Sequence, residues 1–183
     1  MEVGHGTSRA DVGDAVAVSA MAGAAESQLG LIDILVNNAG VNIGKNRDPV
    51  HEFADSEWHH ITRIDLDGIF YCSRLFRPVW VNRRRGTIIN IGSVLSLIPI
   101  RLQSAFSAAK AGMLNFTRSH ALEVGAFGVR VNGIAPGSIL TAGTKSIFYN
   151  PEAKQLSESR ISLIPLDRRT SGYCECRALF DIG

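Results

Sequence analysis

The sequence predicts an α/β fold built on a parallel sheet. Three short runs rich in β-branched residues, at 32–36, 87–91 and 129–135, read as buried strands. They alternate with longer stretches whose apolar residues recur at helical spacing, at 14–29, 55–82 and 104–124. Strand and helix patterns in alternation are what crossover units produce, and those units lay helices against parallel strands. A chain of 183 residues is long enough for one domain with a sizeable core.

Composition excludes several classes. Apolar residues at 45% and charged residues at 20% are ordinary for a globular protein that buries one core. A net charge of +2 is too small to argue for nucleic acid or an anionic membrane. The one basic run, Arg83-Arg84-Arg85, falls between a helix and a strand, where a solvated loop explains it. Cys72, Cys174 and Cys176 form neither a paired framework nor a zinc spacing, which favours a reducing compartment. The N-terminus has no apolar signal core and no apolar run is long enough to span a bilayer, so a cytoplasmic location is expected.

The elements follow in order. Residues 1–14 offer no opening strand. Gly4 and Gly6 make a G-x-G, but no strand precedes it and no third glycine follows in place, so a dinucleotide fingerprint fails on context. Val16, Val18, Met21, Ala24, Ala25 and Leu29 give a helix that closes at Gly30. Ile32–Val36 is a strand, and Asn37-Asn38-Ala39-Gly40 follows its carboxyl end, where small residues and a glycine permit close contact. Asp55 or Ser56 caps a long helix to about Asn82, with Trp58, Ile61, Ile64, Leu66, Ile69, Phe70 and Phe76 on its apolar face. Thr87–Ile91 is the next strand. The helix from Ser104 to about Val124 carries Phe106, Lys110, Met113, Leu114, Phe116 and Leu122, and Gly125 and Gly128 end it. After the strand from Val129 comes Pro136-Gly137-Ser138-Ile139-Leu140-Thr141, then a polar, irregular region at 142–165 with Tyr149 near its middle.

In open α/β sheets chemistry collects outside the carboxyl ends of strands. Ser93 sits just past such an end. Phe106 and Lys110, four apart, share one face of the following helix. A hydroxyl therefore faces a helix that carries a lysine. The histidines do not make a metal site: His59 and His60 are adjacent and diverge, and His5, His51 and His120 have no carboxylate or cysteine at ligand spacing.

This arrangement resembles the short-chain dehydrogenase/reductase family, whose site is a serine after a strand and Tyr-x-x-x-Lys on the next helix. Ser93 fills the serine slot, Lys110 the lysine slot, and Phe106 stands thirteen residues after Ser93 in the tyrosine slot. Asn37-Asn38-Ala39-Gly40 resembles the family's N-N-A-G. Ile64–Phe70 resembles its Asn-Leu-x-Gly-x-Phe segment, with Asp65 in the asparagine slot. Ala10–Asp14 is similar to the end of its third strand, and Pro136-Gly137 to its turn beside the nicotinamide. The resemblance spans roughly residues 10–168.

The resemblance implies a Rossmann-like three-layer α/β/α fold with a parallel sheet, lacking the first βαβ unit and the last strand. It implies an NAD(P)-dependent oxidoreductase acting on a small-molecule alcohol/ketone pair. In the family the tyrosine moves the proton, the serine holds the substrate oxygen, and the lysine binds the nicotinamide ribose while lowering the tyrosine pKa. The catalytic positions are then Ser93, Phe106, Lys110 and Asp65. Phe106 deletes the proton-transferring group, and Asp65 keeps the shape of asparagine without its amide donor when ionised, leaving it free to pair with Lys110. Residues implied for NAD or NADP are Asp11, Val12, Asn38, Ala39, Gly40, Lys110, Pro136, Gly137, Ile139 and Thr141, while the glycine-rich pyrophosphate turn is missing from the pattern. A homo-oligomer through helices 56–82 and 104–124 is also implied, with no nucleic-acid or membrane partner. Three readings stay open: an oxidoreductase by descent that is weak or inactive with Phe106, a non-catalytic ligand-binding or scaffold protein, and a broken gene product with no selected function.

After residue 168 the resemblance stops, which divides the chain into a partial Rossmann-like domain at 1–168 and a divergent tail at 169–183. Permitted codons for Arg168 to Ile182, read one base later, translate as Glu-Glu-Pro-Ala-Asp-Ile-Ala-Asn-Ala-Ala-Leu-Phe-Ser-Ile-Ser. That peptide has acidic residues and proline at a helix start followed by an apolar run, as the family has there. The tail is expected to be a frameshifted reading.

Overall fold

A computed structural model describes residues 5–42, 47–137 and 179–180, with the side chains of 76 and 77 left aside. The chain divides into one compact unit of residues 1–135 with 179–183 and a second of residues 136–178, of which only 136–137 are described.

The first unit runs α1 (Ala15–Leu29), β1 (Ile34–Asn37), α2 (Asp55–Thr62), a π-helical turn (Arg63–Asp67), α3 (Gly68–Arg83), β2 (Gly86–Ile91), α4 (Ser104–Val124), β3 (Val129–Ile134) and β4 (Leu179–Phe180). β1, β2 and β3 pair in parallel, with Ile34 opposite Thr87 and Gly86 opposite Val129. Two residues of β4 pair antiparallel with Gly133 and Ile134, so β4 does not extend the parallel set. Sheet order is β1-β2-β3-β4, which leaves β1 at an edge among the described residues. Ile34 and Val36 on that edge strand are 59% and 52% exposed.

Local chemistry sets the element ends. Asp14 caps α1 by accepting from Val16 N at 2.8 Å and Ala17 N at 3.2 Å, and Gly30 closes it at φ 74°, where a side chain would be strained. The core of α1 is Val18 and Ala22, while Val16 and Leu29 face solvent. Three expectations need correction. Asp11 and Val12 do not end a strand, because no strand lies beside them among the described residues. Asp11 instead turns the chain into α1, its carbonyl accepting from Asp14 N and its carboxylate from Gly13 N. Neither Asp55 nor Ser56 caps α2; Ala54 holds that position without a side-chain bond, since Asp55 is already the first helical residue. The helix at 55–82 is interrupted by a π turn in which Gly68 N bonds back five residues to Arg63 O.

Two apolar clusters hold the layers. One gathers Ala22, Trp80, Ile88, Val124, Val129 and Val131. Trp80 donates to Ile32 O at 2.7 Å, and its indole fills the space a Cβ at Gly86 would need. The other joins Ile61 to Ala105 and Ala109, with Val41, Phe53, Leu66 and Phe106 packed on it. The second cluster fixes the first turns of α4 and therefore the site.

Candidate active site

β2 ends at Ile91, and Ser93 follows in extended backbone to start a 3-10 turn, Val94–Ser96. Its hydroxyl accepts from Leu95 N at 3.2 Å. A hydroxyl has one donor and two acceptor lone pairs, so this bond leaves the Ser93 proton for another oxygen. Lys110, two turns into α4, points back at the same strand end and donates to Ile91 O at 3.4 Å.

Lys110 is 5% exposed and Asp65 is fully buried. Their charged ends lie 3.3 Å apart, Lys110 Nζ to Asp65 Oδ2. The π turn and α4 bring this pair together, and the segment after β1 closes over it: Val41 N donates to Asp65 Oδ1 at 2.7 Å. At Gly40 a Cβ would stand 3.2 Å from Asp65 Oδ1 and 3.3 Å from Lys110 Nζ, a tight fit that would press on both charged ends. Burial raises the Asp65 carboxyl above its ordinary pKa; the Lys110 charge and the Val41 N–H pull it down without cancelling that. The Oδ2 atom takes no aligned hydrogen bond, so its contact with Lys110 is an ion pair alone. The Phe106 ring lies 5.6 Å from Lys110 Nζ, within cation–π range, and presents no hydroxyl.

The residues expected around the adenosine are partly gathered. Val12, Asn38 and Ala39 line an apolar depression of about 160 Å³ at the carboxyl end of β1, with Leu35 and Ile69. Asp11 lies beside it but is committed elsewhere: its carboxylate pairs with Arg63 at 2.9 Å, and that guanidinium holds its pKa below the ordinary value. Pro136 and Gly137 follow β3 in sequence and belong to the second unit; Ile139 and Thr141 lie outside the described residues.

A buried polar network runs through the sheet behind this site. Asn37 donates to Ser73 Oγ at 3.1 Å and to Asn90 Oδ1 at 2.8 Å; Asn90 donates to Thr117 Oγ1 at 2.9 Å; Thr117 donates to Met113 O at 2.8 Å. It ties β1, α3, β2 and α4 together, and sequence reasoning passed over Asn90, Ser73 and Thr117. Asn90 carried a usable signal, as the one amide inside a run of isoleucines. Sequence reasoning also passed over Arg47 and Gln103. Gln103 is 3% exposed at the start of α4, next to Leu102 in the left-handed region at φ 62°. With its amide oxygen turned to the guanidinium, Gln103 accepts from Arg47 Nη2 at 3.1 Å and Nη1 at 3.3 Å.

Ser93 and the buried Lys110 stand outside the carboxyl end of a parallel strand, where open α/β sheets collect their chemistry. Residues 5–152 match the short chain dehydrogenase family, and the chain belongs to that family. It is 35% identical over 161 residues to the 3-oxoacyl-[acyl-carrier-protein] reductase FabG of Staphylococcus aureus, covering 87% of this chain and 62% of that protein. To the cis-4-hydroxycyclohexanecarboxylate dehydrogenase of Sinomonas cyclohexanicum it is 38% identical over 129 residues, 70% of this chain and 51% of that one. Among solved structures it superposes on a gluconate 5-dehydrogenase from Burkholderia cenocepacia, in complex with NADP and tartrate, with a TM-score of 0.76 at 30% identity, covering 82% of this chain and 58% of that one. Levodione reductase gives a TM-score of 0.77 at 32% identity, with coverages of 86% and 61%. The fold is thus the Rossmann-like three-layer α/β/α class, and the chain spans about three fifths or less of the length of these relatives. Among the described residues no three His, Cys, Asp or Glu side chains group as a metal site, and no helix is long and apolar enough to cross a membrane.

Proposed function

We propose that this chain is the substrate- and nicotinamide-facing part of an NAD(P)-dependent oxidoreductase for alcohol/ketone pairs, silenced at the proton-transfer position. The observation that carries this is Phe106 beside Lys110, with Lys110 already neutralised by Asp65. A positioned acid or base contributes about 10²–10⁴-fold, and a phenyl ring contributes none of it.

The residues present fit the adenosine side and the nicotinamide ribose of the cofactor. The apolar depression of Val12, Asn38 and Ala39 suits a flat adenine. Lys110 has three N–H groups; Ile91 O accepts one, and with Asp65 Oδ2 paired by charge alone a further N–H remains for a ribose hydroxyl. Gly40 keeps the approach open. When bound, the nicotinamide supplies or accepts the hydride. In this reading Ser93 orients the substrate oxygen through its remaining proton, and nothing at position 106 moves a proton to or from that oxygen. The carboxylate-bearing substrates named for two relatives, gluconate and a hydroxycyclohexanecarboxylate, make a hydroxy acid a reasonable first substrate to try. The same reading assigns residues 1–168 to the family domain, treats 169–183 as a shifted-frame tail, and has copies associate through the helices at 56–82 and 104–124.

The test follows absorbance of NADH and NADPH with alcohols and ketones. No turnover is expected from the chain itself. In a chain extended by a relative's first cofactor-binding unit, Phe106→Tyr is expected to raise kcat by about 10²–10⁴-fold. Turnover by the unaltered chain at rates typical of dehydrogenases would overturn the reading.

A further inference from the structure

Arg47 is half-buried, carries a full positive charge, and forms no ion pair among the described residues. Its partner is a neutral amide, Gln103, which is itself 3% exposed. A buried amide that accepts from both terminal nitrogens of one guanidinium fixes that guanidinium without neutralising it. Arginine has five N–H donors in a planar fork. The contact with Gln103 uses one hydrogen on each terminal nitrogen, which leaves the edge formed by Nε and an outer N–H. That edge matches a carboxylate in bidentate geometry.

The position of the pair follows from helix geometry. Gln103 immediately precedes α4, three residues before Phe106 and seven before Lys110. At 3.6 residues per turn and 1.5 Å per residue, seven residues put Gln103 about two turns, or about 10 Å along the axis, before Lys110. Arg47 therefore stands at the start of α4, about two turns before Lys110. Val41 and Phe53, which flank it in sequence, pack in the same cluster as Phe106.

We propose that Arg47, presented by Gln103, is a substrate-recognition residue that selects hydroxy or keto acids by their carboxylate. This rests on the reading of the site as an alcohol/ketone site. In this reading the substrate's hydroxyl or keto oxygen sits at Ser93 and its carboxylate is turned toward the Arg47 guanidinium. A neutral alcohol of the same size would leave the cation without a counter-charge, and so would bind more weakly.

The experiment titrates the full-length ¹⁵N-labelled chain with L-malate and with its neutral diamide at constant ionic strength, watching the Arg47 Nε–Hε and Gln103 side-chain amide signals. Malate is expected to shift both signals and to bind at least roughly ten-fold tighter than the diamide. Arg47→Gln should lose that ten-fold, and Arg47→Lys should keep only part of it, because a point charge replaces the fork. Equal binding of malate and diamide by the unaltered chain, or no saturable malate binding, would overturn the proposal even if the variants fail to fold. A separate NADH titration by fluorescence reports on the cofactor reading alone. NADH binding without malate binding sinks only the Arg47 proposal; Arg47-dependent malate binding without NADH binding supports it and sinks the cofactor reading.

Discussion

The buried Asp65–Lys110 pair should respond asymmetrically to losing either member. At 3.3 Å the gross attraction is about 5 kcal/mol for an effective dielectric of ~20. Against it stands a desolvation penalty of several kcal/mol for each ion. The Asp65 carboxyl sits above its ordinary pKa, so for Asp65 the penalty outweighs the attraction. Lys110 has other compensation, in Ile91 O and the Phe106 face, whereas Asp65 Oδ2 has only Lys110. Asp65→Asn keeps an acceptor for Val41 N and removes the costly charge; its stability at neutral pH should stay within about 1 kcal/mol of the parent. Lys110→Met strands the carboxylate and should cost about 3–5 kcal/mol. The double variant should recover most of that loss, so the two changes are strongly non-additive. The pH dependence has a definite sign. With a folded pKa raised above 3.8, the folded state holds the Asp65 proton longer than the unfolded chain does. Its stabilising contribution is fully present below the unfolded value and is lost as pH rises through the raised folded pKa. That slope should vanish in Asp65→Asn and grow in Lys110→Met, where the cation that restrains the shift is gone. Urea unfolding followed by circular dichroism across this pH range measures all of it. Equal damage from the two single variants, or a parent slope that survives Asp65→Asn, would refute the reasoning.

Other outcomes follow from the same contacts. Phe106→Tyr should introduce a phenol whose ultraviolet titration stays close to the usual value of about 10, and adding Asp65→Asn should lower it by unmasking Lys110; no change in the double variant would mean Asp65 does not neutralise Lys110. Asn90→Ala should leave one Asn37 N–H unpaired, with Ser73 as that amide's remaining partner, and break the tie from β2 to Thr117, costing about 1–3 kcal/mol for the buried donor left unpaired, read by denaturant unfolding. Gly86→Ala should drive a methyl into the Trp80 indole, costing about 1–3 kcal/mol and shifting tryptophan fluorescence. Sequencing the gene should show the shifted frame after the Arg168 codon encoding a Glu-Pro-Ala-Asp-Ile-Ala-like helix start; an early stop in that frame would end the frameshift proposal.

What the sequence made legible is what depends on local pattern. The helix at 14–29, its Gly30 stop and the three β-branched runs are decided within a few residues, and the structure places them within one or two positions of expectation. The site was legible for the same reason: Ser93 follows a strand, and Phe106 and Lys110 share a helix face whatever packs around them. Asp65 is an intermediate case. It lies four residues after Ile61, on the same helical stripe, so a charge falling among buried residues already called for a partner. The π turn around it was not legible, because nothing in Arg63–Asp67 marks an extra residue in the turn; the backbone widens there in a way tertiary packing decides.

The network of Asn37, Asn90 and Thr117 shows why the remainder was hidden. A strand pattern alternates, and in β2 the inward positions are Gly86, Ile88 and Asn90. Propensity makes Asn90 an outward or turn residue, since a buried amide is costly without partners. Its partners lie on β1 and α4, 53 residues before it and 27 after, and only the assembled sheet brings them together. The Arg47–Gln103 pair is hidden in the same way, by 56 residues of separation between an apparent loop arginine and an apparent helix-start glutamine. Polar groups buried by distant partners give no periodic signal, yet they fix where α4 begins and how it lies on the sheet. The position of Lys110 over the end of β2 therefore depends on contacts that no window of the sequence contains, which is why Asn90→Ala should disturb the site as well as the core.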